Sequence, residues 1–328
     1  MSQKTPYHCF FNGDADGIAA VVQFIHSGFI IDNFFTGHKR DQTLLRHGET
    51  LWNAKILACD IELAKNMDSV KKMLDNKCEM CWFDHHGNGE EKLLLEYPNF
   101  TSNIDIAANT NTALIVYKLL NKPELLKWAI VGLFGDNIDG AALHYCQCLN
   151  LSQEEISILT NIGKLINYNS YGESFNDLII DPIAILHKAK EFKDPITFFQ
   201  QTDIGERLAQ CAREDLKLGL SYCEENSQEN YIILLPNLPW ARRVYGTLGN
   251  YLVKQYKTKP VAILVDIGAD HYLVSVRAPL DQPTGAGDLC RLFPSGGGRA
   301  GAGGINKLYK NSLEQFLESF QTHWMGMR

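Results

Sequence analysis

Residues 7–24 read Tyr7-His8-Cys9-Phe10-Phe11-Asn12-Gly13-Asp14-Ala15-Asp16-Gly17-Ile18-Ala19-Ala20-Val21-Val22-Gln23-Phe24. Tyr7 to Phe11 is an apolar run of strand length, and Asp16-Gly17 leads from it into an apolar segment, Ile18 to Phe24, whose length suits a helix. The theme then returns. Ala54-Lys55-Ile56-Leu57-Ala58-Cys59 predicts a second strand, followed by a helix through roughly Met67 to Asn76, and Met80-Cys81-Trp82-Phe83 predicts a third. Ile104 to Leu120 and Leu125 to Phe134 read as helices. Short apolar strands alternating with helices imply a mostly parallel sheet covered by helices on both faces.

Outward from this region the pattern changes. Residues 151 to 193 are mixed polar and apolar and predict helix, with Pro182 and Pro195 as breakers near a boundary. A long helix is expected from Gln200 to about Asn226. Beyond it come a strand at Tyr231 to Leu235, a helix near Val244 to Tyr256, strands at Val261 to Asp266 and Tyr272 to Arg277, a Gly-rich loop at Gly296 to Gly304, and a final helix from Leu313 to Phe320. With 328 residues the chain suits two domains of ordinary size. The expected fold class is α/β: an N-terminal parallel-sheet domain over residues 1–190, a helical linker over 191–226 and a smaller C-terminal α/β domain over 227–328.

Composition narrows the setting. No apolar run is long enough to cross a bilayer, and the first residues lack the regions of a signal peptide, so a cytoplasmic protein without membrane association is the default. Nine irregularly spaced cysteines fit reduced thiols better than a disulfide framework. A four-thiolate site from Cys78-x-x-Cys81 and Cys146-x-Cys148 is disfavoured, because Cys81 opens a strand-like run and the second spacing is too tight for a zinc loop. Residues 1–195 carry 17 basic and 25 acidic side chains, whereas residues 196–328 carry 14 and 13. The acidic first part would repel a polyanion unless it holds cations, which argues against a long nucleic-acid duplex as partner.

Acidic signals fall at the carboxyl ends of the predicted strands: Asn12-Gly13-Asp14-Ala15-Asp16-Gly17, then Asp60, then Asp84-His85-His86-Gly87. Gly135-Asp136-Asn137 adds an acid after another apolar run. One Asp after a strand is usually a turn or a helix cap. Several in the crevice outside strand ends, where open α/β sheets bind ligands, would repel one another without cations between them. Oxygen donors with one or two imidazoles suit manganese, with magnesium or iron less favoured, and argue against thiolate zinc.

This ordered set, with Gly296-Gly297-Gly298-Arg299-Ala300-Gly301-Ala302-Gly303-Gly304 near the end, resembles the DHH phosphoesterase superfamily. The likeness is to its small two-domain members of the oligoribonuclease/phosphoadenosine-phosphate phosphatase type, with a DHH domain followed by the associated C-terminal domain. It implies a site for two divalent cations: Asn12, Asp14 and Asp60 at one, and Asp16, Asp60, His85 and Asp136 at the other, with Asp60 bridging. It further implies that His86 faces the substrate phosphate or leaving group and that Asp84 supports the histidines. The Gly-rich loop, through Gly297 and Gly298, would offer backbone N–H donors to an anion, and Arg277 or Arg299 a charge-assisted fork.

Two positions depart from the superfamily pattern. Asn12 stands where a histidine ligand is usual, and an amide oxygen is the poorer donor, so one cation is expected to bind weakly or to arrive only with substrate. Arg299 stands where the C-terminal motif usually has histidine, which keeps positive charge but removes acid chemistry at that position. The expected function is manganese-dependent hydrolysis of a small phosphate ester, such as a short oligoribonucleotide, a cyclic dinucleotide or phosphoadenosine phosphate, by metal-activated water. The alternatives are an inorganic pyrophosphatase-like hydrolase and a catalytically weak nucleotide-binding regulator. Trp240 and Tyr245 are weighed as base-stacking residues against the commoner role of core packing. The oligomeric state, homodimer included, stays open.

Overall fold

Alternating side chains along three central strands build the first core of the protein, which was analysed as a computed structural model describing residues 5–87, 89–226 and 231–325. The chain divides into two units, one ending at Ala209 and the other beginning at Gln210. In the first, β1 (Tyr7–Asn12) leads to α1 (Ala15–His26) and β2 (Ile31–Gly37), and β3 (Lys55–Cys59) to α2 (Met67–Asp75) and β4 (Glu79–Asp84). β5 (Phe100–Ile104), α3 (Thr112–Leu120), α4 (Leu126–Gly135), α5 (Asp139–Cys148), α6 (Gln153–Ser170), α7 (Pro182–Ala189) and α8 (Pro195–Gln201) follow. The five strands lie in the order β2-β1-β3-β4-β5, and every neighbouring pair is parallel.

Period-two alternation sends Cys9, Phe11, Leu57, Cys59 and Phe83 to one face, where they join α1, α3 and α4. Phe10, Ile56, Ala58, Met80 and Trp82 go to the other face and meet α2 and Leu44 and Leu45 of a short 3₁₀ turn. The strands are therefore buried on both sides, as the sequence pattern predicts. Because β2 lies on one side of β1 and β3 on the other, the order in which strands are added to the sheet reverses between β1 and β3. That switch point opens a crevice at the carboxyl ends of the strands, and Asn12, Asp14 and Asp60 stand at its mouth.

Two expectations need correction. The segment from Ile104 is not helical throughout: Phe100–Ile104 is an edge strand, and α3 starts only at Thr112, where Asn111 caps it by accepting from the Leu114 N–H at 3.0 Å. Ile31–Gly37 is the opposite edge strand, which the sequence reading passed over.

The second unit has its own sheet. α9 (Ile204–Asn226) runs across the boundary between the units, and β6 (Ile232–Leu235), α10 (Pro239–Gln255), β7 (Val261–Asp266), β8 (His271–Arg277), α11 (Ala286–Arg291), β9 (Gly296–Gly298), β10 (Ala302–Tyr309) and α12 (Leu313–Met325) follow. The order is β6-β7-β8-β10-β9, parallel only between β6 and β7. Ile263 and Val265 pack with Val244 and Leu248 of α10, while Ala262 and Leu264 face the core of Phe316 and Phe320 from α12. Trp240 and Tyr245 are partly buried against the α10 core, with the Trp240 ring 6.2 Å from that of Tyr222. The expected Gly-rich loop is instead a β-hairpin: Gly298 pairs with Gly303 and Gly297 with Gly304, and Ala300-Gly301 make the turn.

Candidate metal centre

Asp14 shows how the cap and site readings combine. It is the N-cap of α1, and its Oδ1 accepts from the backbone N–H of Asp16 at 3.0 Å and of Gly17 at 3.2 Å. A cap of this kind is worth about 1 kcal/mol. The other oxygen, Oδ2, is left for the crevice, where it meets the Lys39 ammonium. Gly17 permits the tight approach of α1 to the end of β1, since a Cβ there would lie 2.1 Å from the Asn12 carbonyl oxygen.

Asp16 ties α1 to α3. Its two oxygens accept from the N–H groups of Thr112 and Ala113, each at 2.8 Å, so the N-terminus of α3 fixes the carboxylate. Gly132 lets α4 come close behind it, because a Cβ at that position would be 2.8 Å from Asp16 Oδ1. Asp60 directly follows β3 and adopts a left-handed backbone, φ +60°, a conformation costing about 1 kcal/mol that turns its side chain into the crevice. Its N–H donates to the Phe83 carbonyl at 2.9 Å, and Thr112 Oγ1 lies 3.4 Å from its Oδ1.

The remaining groups close on these. His85 Nε2 lies 3.5 Å from Asp60 Oδ1 and 3.8 Å from both Asp16 Oδ2 and Asp136 Oδ2. Donor atoms of Asp16, His85 and Asp136 fall within 4.8 Å of one another, as do those of Asp60, His85 and His86. His86 Nδ1 sits 2.8 Å from Asp84 Oδ1 and 3.9 Å from Asp60 Oδ1. Asp136 caps the C-terminus of α4, buried at every position but Lys127, and so sits at the negative end of a helix dipole, an unfavourable place for a carboxylate without a cation.

Electrostatics report the same crowding. Burial, then the charges of Asp136 and Asp14, push the Asp16 carboxyl up to about 7. Burial with the charges of Asp14 and Asp16 raises Asp60 well above the carboxylate range. Burial raises Asp84, against the His86 hydrogen bond. For His86 burial disfavours the proton, but the Asp84 hydrogen bond and the Asp60 charge outweigh it and raise its pKa. Among the described residues, the buried oxygens Asn12 Oδ1, Asp84 Oδ2 and Asp136 Oδ2 have no hydrogen-bond partner. Converging carboxylates held against their charge, with orphaned oxygens and two imidazoles, fit a hard divalent cation among Asp16, Asp60, His85 and Asp136.

A pH prediction follows for the cation-free protein. A carboxyl raised to about 7 binds its proton more tightly folded than unfolded, so its contribution is full below the ordinary carboxylate range and is lost as pH rises through about 7. The melting temperature in chelator is expected to fall between pH 5 and 8, less steeply in Asp16→Asn. Added manganese is expected to raise it more at pH 8 than at pH 5. Equal increments at both pH values would contradict this electrostatic account.

The first unit thus brings together Asp14, Asp16, Asp60, Asp84, His85, His86 and Asp136, with Asn12 beside them through its Nδ2 bond to the Lys39 carbonyl at 3.3 Å. Sequence reasoning missed Lys39, Asn111 and Thr112. Asn111-Thr112 carries a helix-start signal that was available; Lys39 carries none without β2. No histidine of β1 supplies the imidazole that Asn12 lacks: His8 lies four residues before it, about 13 Å back along the strand, with its ring against Phe35. In the second unit, Arg277 is half-buried at the end of β8. Its guanidinium joins β8 to α10 by donating to Asn250 Oδ1 at 2.5 Å, Ser275 Oγ at 2.8 Å and the Gly246 carbonyl at 3.4 Å. Gly297 and Gly298 lie in edge strand β9, and Arg299 is exposed beside the turn.

No protein-family model and no curated protein matches the sequence. Solved structures do. An exonuclease RecJ bound to manganese superposes with a TM-score of 0.59 at 14% identity, covering 97% of this chain and 89% of that one. RecJ from Thermus thermophilus in complex with Mn2+ gives 0.65 at 14% identity over 98% of this chain, which spans 52% of that protein. An exopolyphosphatase-related protein from Bacteroides fragilis gives 0.53 at 14% identity, covering 98% and 92%. The topology and the matches along nearly the whole chain agree that this protein shares the fold of these RecJ structures, and its ordered aspartates and histidines are the residues on which the resemblance to the DHH phosphoesterase superfamily rests.

Proposed function

We propose that the protein is a divalent-metal-dependent phosphoesterase, with manganese the preferred ion, acting on a short nucleotide or another small phosphate ester. The observation that carries this reading is a pair of adjoining donor clusters that share His85, one with Asp60 and His86 and the other with Asp16 and Asp136. Manganese in the RecJ structures of the same fold supports the choice of ion, and a magnesium complex of RecJ keeps magnesium as the second candidate. A bound divalent ion would supply Lewis-acid stabilisation of phosphoryl charge and ease deprotonation of water.

The chain's own residues would do the rest. Asp16 and Asp136 hold the site's geometry through α3 and α4, and Asp84 fixes the His86 ring through Nδ1, leaving Nε2 for the leaving-group oxygen. As water's oxygen bonds to phosphorus it gives up a proton to solvent, the ester P–O bond breaks, the departing oxygen takes a proton from His86, and His86 regains one from solvent. Arg299 is our candidate for holding a distal anionic group. Open-edged Gly297 and Gly298 would assist with backbone N–H groups. Nine free cysteines suit a reducing cytoplasm, and no described helix is long and apolar enough to cross a membrane.

The test is product release from a diribonucleotide, a cyclic dinucleotide, phosphoadenosine phosphate and pyrophosphate, with manganese, magnesium or chelator. Manganese-dependent turnover of a nucleotide ester is expected. Preference for pyrophosphate would move the substrate to the inorganic class, and tight nucleotide binding without turnover on any ion would replace the enzyme with a binding protein.

A further inference from the structure

A positive charge already occupies part of this centre. Lys39 follows β2, and its ammonium reaches between two carboxylates, contacting Asp14 Oδ2 and lying 3.3 Å from Asp136 Oδ1. The backbone at Lys39 is pinned. Its N–H donates to the Ser170 carbonyl at 2.9 Å, and its carbonyl accepts from Asn12 Nδ2 at 3.3 Å and Gln42 Nε2 at 3.1 Å. The ring of Tyr171 lies 5.9 Å from the ammonium. The side chain is therefore delivered from a fixed base, and about a quarter of it (24%) remains exposed on the crevice side.

Among the residues of the first cation position the ammonium contacts Asp14, and its other contact, Asp136 Oδ1, belongs to a residue of the second. Asp14 offers it Oδ2, and Asn12, the one neutral member, spends its amide nitrogen on the Lys39 carbonyl. A divalent ion placed against Asp14 and Asn12 would have to displace the ammonium or sit beside it, and like charges at such range repel strongly in a buried site. At the other position Asp16, Asp60, His85 and Asp136 Oδ2 are free of any ammonium contact. The same two changes thus act together: the weaker ligand, Asn12, and a tethered cation at one place.

We infer that the protein binds one divalent cation per chain, at Asp16, Asp60, His85 and Asp136, and that the Lys39 ammonium fills the other position as a permanent part of the site. This rests on the metal-dependent reading above for the retained position only. An ammonium has three donors and no Lewis acidity, so it holds Asp14 and meets a phosphate oxygen as a point charge but cannot ease deprotonation of water. Activation of water then falls to the single ion and its carboxylates, and Lys39 binds and orients the phosphate.

Metal stoichiometry tests this without any substrate. The full-length protein, stripped with chelator and titrated with manganese, is followed by native mass spectrometry and by electron paramagnetic resonance. One manganese per chain with an uncoupled, mononuclear signal is expected. The double variant Asn12→His with Lys39→Ala is expected to take two, with the exchange-coupled signal of neighbouring ions; Asn12→His with Lys39→Met serves if the alanine variant is unfolded by circular dichroism. Two coupled ions in the wild type, or a single ion in both folded double variants, would overturn the inference. The outcomes separate from those of the activity panel: two ions with turnover sinks the Lys39 assignment and leaves the phosphoesterase, one ion without turnover does the reverse, and no bound ion removes both.

Discussion

Asp60→Asn is expected to reduce metal-dependent hydrolysis on the order of 10³-fold, beyond the roughly 10–100-fold that loss of a supporting hydrogen bond costs a metal site. The reason is its place: on a left-handed turn after β3, it offers the carboxylate oxygen closest to His85 Nε2 and also faces His86. The same substitution should stabilise the cation-free protein. The Asp60 carboxyl is raised by burial and by Asp14 and Asp16, so its ionised form opposes folding, and that cost is present once pH exceeds the raised folded value and absent below the ordinary one. An uncharged amide removes the repulsion, and the neighbouring carboxylates can accept from its NH₂. Loss of activity with a higher melting temperature in chelator is the expected pair. Loss of both would mean that Asp60 is chiefly a structural residue.

Burial on both faces or on one explains why the site was legible while part of its frame was not. Asp60, Asp84, His85 and His86 follow strands that are apolar on both faces, and such strands stand out as unbroken hydrophobic runs. The edge strands do not. Ile31-Asp32-Asn33-Phe34-Phe35-Thr36-Gly37 and Phe100-Thr101-Ser102-Asn103-Ile104 carry exposed polar residues because each pairs on one side only. With β2 unseen, nothing placed the loop after it at the carboxyl edge of the sheet, and Lys39 read as one more surface lysine. With β5 unseen, the start of α3 slid back to Ile104, and the cap at Asn111 that aims the Thr112 and Ala113 N–H groups at Asp16 was lost inside a supposed helix. The glycines near the C-terminus failed differently: composition announces backbone freedom, and in the paired hairpin Gly298 and Gly303 use the same absence of side chains for close approach, to the facing strand and to α11.

Trp82→Ala is expected to cost about 3–5 kcal/mol of folding stability, the range for deleting a fully buried large aromatic side chain. Trp82 is wholly buried on β4, packs in the core of Phe10, Ile56 and Met80, and donates from its indole Nε1 to the Ile61 carbonyl at 3.1 Å. That carbonyl belongs to the residue after Asp60, so the bond braces the strained turn that carries the central carboxylate. Trp82→Phe separates the two roles. It keeps most of the apolar packing and leaves the Ile61 carbonyl without its donor, costing about 1–3 kcal/mol. If the indole bond holds Asp60 in place, Trp82→Phe weakens manganese affinity by about 10-fold, as loss of other supporting hydrogen bonds does. Chemical denaturation gives the first quantity and calorimetric titration of manganese the second. A phenylalanine variant that loses stability yet binds manganese as tightly as wild type would show that the backbone bond from Asp60 to Phe83 is enough to set the turn, and that the indole serves packing alone.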